Sequence, residues 1–105
     1  MPLIVKDFTG QTVLTTFEVT PGTCEDLVEE LSRAYAEVIS RCGGFIGSAL
    51  HVNDAHTRIA TYSQWQRRQD FQAMLRLPEM RERNRRLNAL AKSFEPVMYE
   101  VVQSY

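Results

Sequence analysis

From Gln11 to Val19 the chain reads Gln-Thr-Val-Leu-Thr-Thr-Phe-Glu-Val, with Val13, Thr15, Phe17 and Val19 on one side of a period of two. That β-branched alternation predicts a strand. Pro21-Gly22 ends it, and Thr23, with an acidic residue three positions on, marks the start of a helix. Leu27, Val28, Leu31, Ala34, Tyr35, Val38, Ile39 and Cys42 then recur at spacings of three and four. They predict one long amphipathic helix stopped by the left-handed glycines Gly43-Gly44.

Two further strand patterns, Phe45 to Asn53 and Thr57 to Trp65, flank the polar Asp54-Ala55-His56 and read as an antiparallel hairpin. Gln66 to Arg76 carries Phe71, Met74 and Leu75 at helical spacing, and Leu77-Pro78 breaks it before a second helix from Glu79 to Phe94. After Glu95-Pro96, the run Val97 to Gln103 predicts a last strand. The order β-α-β-β-α-β predicts an α+β fold of the ferredoxin-like type, an antiparallel sheet with two helices on one face. Because both faces of the strands carry apolar residues, the second face calls for cover. A homodimer with the two sheets facing, tending toward a dimeric α/β barrel, is the expected solution.

At 105 residues the chain predicts a single domain, 1–105, in which residues 1–10 form an N-terminal arm or an extra strand around Leu3-Ile4-Val5. Twelve basic against thirteen acidic residues give no field that draws nucleic acid. No run approaches the ~20 apolar residues of a membrane span, so no membrane partner and a cytoplasmic location are expected. Cys24 and Cys42 fall at opposite ends of the expected helix, roughly 27 Å apart at ~1.5 Å per residue, and read as reduced structural thiols.

The candidate chemistry gathers at the only tryptophan. Strand parity puts Ile59, Thr61, Ser63 and Trp65 on one face, so two hydroxyls neighbour the indole, with Asn84 of the second helix facing them. Polar groups in an apolar surround are the usual form of a small-molecule site. His51, near the end of its strand, is placed at the rim. Neither a Gly-rich phosphate loop nor metal-type Cys/His spacing occurs, so no cofactor is expected.

The segments Phe17-Glu18-Val19-Thr20-Pro21-Gly22, Gly44-Phe45-Ile46-Gly47-Ser48-Ala49-Leu50-His51 and Tyr62-Ser63-Gln64-Trp65, followed by a polar helix with Phe71, resemble the antibiotic biosynthesis monooxygenase family over roughly Val13 to Val101. The resemblance implies a dimeric α/β barrel. It also implies cofactor-independent oxidation of a phenolic, quinol or polyketide-like aromatic by molecular oxygen, with Trp65 and Thr61 as catalytic candidates. Ser63, Phe71, Asn84, Arg85 (or Arg81) and His51 are the substrate-binding candidates. Better-studied oxygenases of this kind have asparagine where Thr61 stands, and some members have tyrosine where Phe71 stands. A non-catalytic dimeric small-molecule-binding protein is therefore the competing reading. Haem degradation ranks below both, because Gln66 to Phe94 contains no histidine.

Overall fold

The computed structural model describes residues 3–105, so Met1 and Pro2 of the expected arm lie outside the described residues. Strand β1 (Gln11–Glu18) leads to helix α1 (Pro21–Glu37) and a 3-10 turn (Ile39–Arg41). The hairpin β2 (Phe45–Val52) and β3 (Arg58–Trp65) follows, then helices α2 (Arg68–Arg76) and α3 (Pro78–Leu90), and strand β4 (Ser93–Tyr99). The strands form an antiparallel sheet in the order β2-β3-β1-β4, the ferredoxin-like α+β arrangement. The central pair β1/β3 sets the face that the helices cover, because Val13 lies opposite Ser63, Thr15 opposite Thr61 and Phe17 opposite Ile59.

Two apolar clusters fill the space beneath the helices. One joins Val13 and Trp65 to Ala34 of α1, Phe71 and Met74 of α2 and Met80 of α3; the other joins Phe17 and Ile59 to Leu27, Leu31 and Leu87. Burying a side chain of this size is worth about 1.5–3 kcal/mol, so these contacts fix how the helices sit on the sheet.

The ends of three elements differ from the sequence expectation. Helix α1 starts at Pro21, with the Thr20 N–H donating to Thr23 Oγ1 at 3.3 Å, because proline is pre-set for the first helical position. It ends at Glu37 rather than at the glycines. The apolar spacing continues through the 3-10 turn, which keeps Ile39 buried while tightening the backbone. The left-handed glycine, Gly44 at φ 86°, instead serves the start of β2. Strand β4 begins at Ser93 and ends at Tyr99, so Phe94, expected on the last helix, is a strand residue stacked on Phe17 with ring centroids 5.5 Å apart. Pro96 is tolerated because β4 is an edge strand.

On the opposite sheet face, the strand-like Leu3–Val5 forms no ladder but lies against Gln64, whose side chain accepts from the Leu3 N–H at 2.6 Å and donates to its carbonyl at 2.7 Å. Val97 and Tyr99 of β4 remain exposed on the sheet. Among the described residues no helix is long and apolar enough to cross a membrane. Cys24 and Cys42 are both free thiols.

Helix α3 is tied to α1 by Arg83, which donates to Glu37 at 2.5 Å. That hydrogen bond, and next the guanidinium charge, hold the Glu37 carboxyl below its ordinary value. A depressed carboxylate contributes stability at pH above its unfolded value and loses it as the pH falls through the folded one. Glu37→Gln is therefore expected to lower the melting temperature modestly at neutral pH and to flatten the acid limb of its profile below about pH 4.5, where parent and variant converge. An acid limb identical to that of the parent refutes the coupling.

Candidate functional site beneath the helices

Trp65 ends β3 fully buried, where the sheet, α1 and α2 converge. Phe45 meets it edge-on at 5.3 Å between ring centroids and Phe71 at 5.8 Å, both in the T-shaped geometry that aromatic quadrupoles favour. Its Nε1–H donates to Ser63 Oγ at 3.3 Å. Ser63 thus spends an acceptor lone pair on the indole and keeps its own proton to donate.

Next to the indole runs a narrow cavity of about 50 Å³, lined by Thr61, Ser63 and Thr15 from the sheet, Tyr35 from α1, Phe71 from α2 and Asn84 from α3, among others. Parity and helix spacing therefore bring Trp65, Thr61, Ser63, Phe71 and Asn84 to one place. No Asp, Glu, Lys, Arg or His lines the cavity. Its polar groups are hydroxyls and one amide, suited to hydrogen-bonding a neutral oxygen.

Two expected site residues lie elsewhere. Arg85 is exposed and donates to Glu82 at 2.7 Å, and Arg81 is exposed as well. On α3 the inward stripe is Met80, Asn84 and Leu87, a spacing of four then three, and position 85 lies about 100° round the helix from Asn84. His51 stands on the open face with Leu14, Ala49 and Tyr62, away from Trp65. Simple alternation would place Phe45 and His51 on the same side. The register shifts between Phe45 and Gly47, so Phe45 opposes Trp65 while Ser48 opposes Ser63 and Leu50 opposes Thr61. This bulge inverts the parity of the rest of β2. Gly47, a glycine inside a strand pattern, was the available signal. Phe45, Tyr35 and Thr15 are site residues that the sequence reading missed; Thr15 follows from its pairing with Thr61, which only the sheet register supplies.

Ser63→Ala is expected to cost about 1–2 kcal/mol, because it strands the buried indole N–H without a partner. Denaturant unfolding measures it, and a cost indistinguishable from zero shows that the bond is not made in solution.

Outside this cavity, a cleft of about 610 Å³ opens between the end of α1 and the face of α2, lined by Glu37, Arg41, Cys42, Asp70, Met74 and Glu79 among others. Burial, and secondarily the Glu79 carboxylate, push the Cys42 thiol above its ordinary value. It is a poor nucleophile at neutral pH.

A ferredoxin-like sheet whose helix-covered face holds an uncharged, aromatic-walled cavity defines the class of protein. Within that class the chain belongs to the antibiotic biosynthesis monooxygenase family, whose sequence profile matches residues 11–86. Among solved structures it is similar to SnoaB, a cofactor-independent oxygenase from Streptomyces nogalater, at 20% identity and TM-score 0.78, over 92% of this chain and 97% of that one. It is also similar to a monooxygenase from the ActVA-Orf6 gene of Streptomyces coelicolor in complex with nanaomycin D, at 25% identity and TM-score 0.78, over 88% and 87% of the two chains. An anthrone oxidase-like protein matches with TM-score 0.88 at 20% identity, over 96% of this chain and 43% of that one. No curated protein gives a significant sequence match.

Proposed function

We propose that this chain is a cofactor-independent monooxygenase acting on a phenolic, quinol or polyketide-like aromatic in the cavity beside Trp65. The observation that carries the reading is the cavity itself, lined by Trp65 and Phe71 together with Ser63, Thr61 and Asn84, in a member of this family. For an anthrone-type substrate the balance is complete without a cofactor. The ring CH₂ becomes C=O, one atom of dioxygen enters the carbonyl and the other leaves as water, and the substrate supplies all four electrons and both hydrogens.

The residues bind the ring against Trp65 and Phe71, donate hydrogen bonds to the developing oxyanion, and exclude water. No carboxylate or imidazole in the cavity takes the proton, so it leaves along the hydroxyls of the lining to solvent outside, and acidic phenols are the best substrates. The reading includes a homodimer that covers the open sheet face, because Val97 and Tyr99 there are apolar and exposed.

Oxygen uptake with anthrone and 1-naphthol, run aerobically and anaerobically, tests the reading. It expects product that depends on oxygen; equal yields without oxygen, or no turnover, reject it. One specific observation favours the second reading, a non-catalytic small-molecule-binding protein: Thr61, rather than an asparagine, sits beside Trp65 with no ionisable base near it. That reading expects saturable quenching of Trp65 fluorescence with the ligand recovered unchanged.

A further inference from the structure

A volume of about 50 Å³ admits water but not a fused-ring molecule, for which sites of roughly 300–1,000 Å³ are usual. A wall must therefore move before Trp65 can meet a flat ligand. Among the described residues, Met74 alone lines both the inner cavity and the 610 Å³ cleft outside it. We propose that Met74 is the gate and a specificity-determining residue of the Trp65 site, admitting uncharged fused-ring aromatics from the cleft between α1 and α2. The inference rests on the reading of this cavity as the binding site.

The walls differ in how firmly they are held. The sheet is fixed by its ladders, α1 is capped at its N-terminus by the Thr20–Thr23 pair, and α3 is tied to α1 by Arg83–Glu37. Helix α2 is nine residues long, has no side-chain cap at its N-terminus, is tied to the sheet by one exposed hydrogen bond from Arg68 Nε to Gln11 Oε1 at 3.3 Å, and joins α3 through the single extended residue Leu77, with Pro78 unable to donate a backbone hydrogen bond. Met74 is also unbranched, so rotation about its own bonds opens the wall without unfolding a helix. The other side chain shared between the cavity and an outer groove is Tyr35, which sits on the longer α1 with its ring against Phe45 at 6.2 Å.

The ligand class follows from charge. The inner cavity offers no cation, and the cleft presents Glu37, Asp70 and Glu79 against Arg41. A carboxylate on the ligand would be desolvated without a counter-charge, which is strongly unfavourable. Neutral phenols and quinols meet no such barrier.

Stopped-flow quenching of Trp65 fluorescence by 1-naphthol tests the gate. Met74→Ala is expected to speed association about tenfold, the effect of lowering a barrier by about 1.4 kcal/mol, and the volume-conserving Met74→Leu, which is branched and stiffer, to slow it. Ser40→Ala and Arg85→Ala, outside both the cavity and the cleft, leave the rate near that of the parent. Quenching by 1-hydroxy-2-naphthoate is expected to be at least about tenfold weaker than by 1-naphthol, since its charge stays uncompensated. Because Met74→Ala opens space in the core, its melting curve is recorded, and Met74→Leu carries the test if the alanine variant is unfolded. Parent quenching with a rate unchanged by the Met74 variants, or accelerated instead by Tyr35→Leu at the other shared wall, overturns the gate while leaving the site reading intact. Equal quenching by the carboxylate overturns the ligand class. No quenching in any variant, Met74→Ala included, rejects the site reading and the gate together.

Discussion

Trp65→Ala is expected to lower the unfolding free energy by about 3–5 kcal/mol, the usual cost of removing a large buried aromatic. Total domain stability is only about 5–15 kcal/mol, so the variant loses a large share of it and its melting temperature should fall by many degrees. The cost is large because the indole holds three elements at once: Phe45 on β2, Phe71 on α2 and Ser63 on β3. Trp65→Phe keeps most of the packing, loses the hydrogen bond to Ser63, and is expected to cost less than half as much. Indole added to the alanine variant should refill the space and raise its melting temperature with concentration, by mass action. Chemical unfolding of the three proteins, with and without indole, checks the series. A cost for Trp65→Ala below about 1 kcal/mol would show that the indole is not a core residue in solution.

The second large effect is expected at Gly44, where φ is 86° and the carbonyl accepts from the Gln66 N–H at 2.7 Å. A Cβ here suffers twice. The left-handed backbone disfavours it, and it collides with the Asp70 carboxylate on α2. Gly44→Ala is expected to cost about 2–4 kcal/mol, combining left-handed strain with overpacking. A double-mutant cycle separates the causes: Asp70→Ala in the Gly44→Ala background should recover the part of the collision made by the carboxyl group and leave the contact with the residue-70 Cβ together with the strain of about 1–2 kcal/mol. Asp70 also pairs with Arg67 at 3.2 Å, an exposed contact worth little alone. Additive costs in the cycle would mean that Asp70 already swings clear of position 44.

How far the site was legible varies with the rule that was used. The parity of β3 is a strict period of two within an unbroken strand, so Thr61, Ser63 and Trp65 on one face followed directly from the chain. Asn84 followed from helical spacing. His51 did not, because the bulge between Phe45 and Gly47 turns the rest of β2 over, and one extra residue inverts every side chain beyond it. Arg85 was carried by resemblance alone, and the helix turns it outward to Glu82. Phe94 fits the spacing of α3 equally well, yet the stacking on Phe17 draws it into β4. Spacing alone does not choose between a last helical turn and the start of a strand.

The sequence by itself determined the order of elements, the family, and the face on which Trp65 lies, because these depend on local periodicity and on residues near one another in the chain. Only the tertiary structure decided the size of the cavity, the position of Met74 between it and the outer cleft, and the removal of His51 and Arg85 from its walls. Those features depend on how side chains from the sheet and three helices meet in three dimensions. Packing of that kind responds to shifts smaller than one residue, which a one-dimensional pattern does not encode.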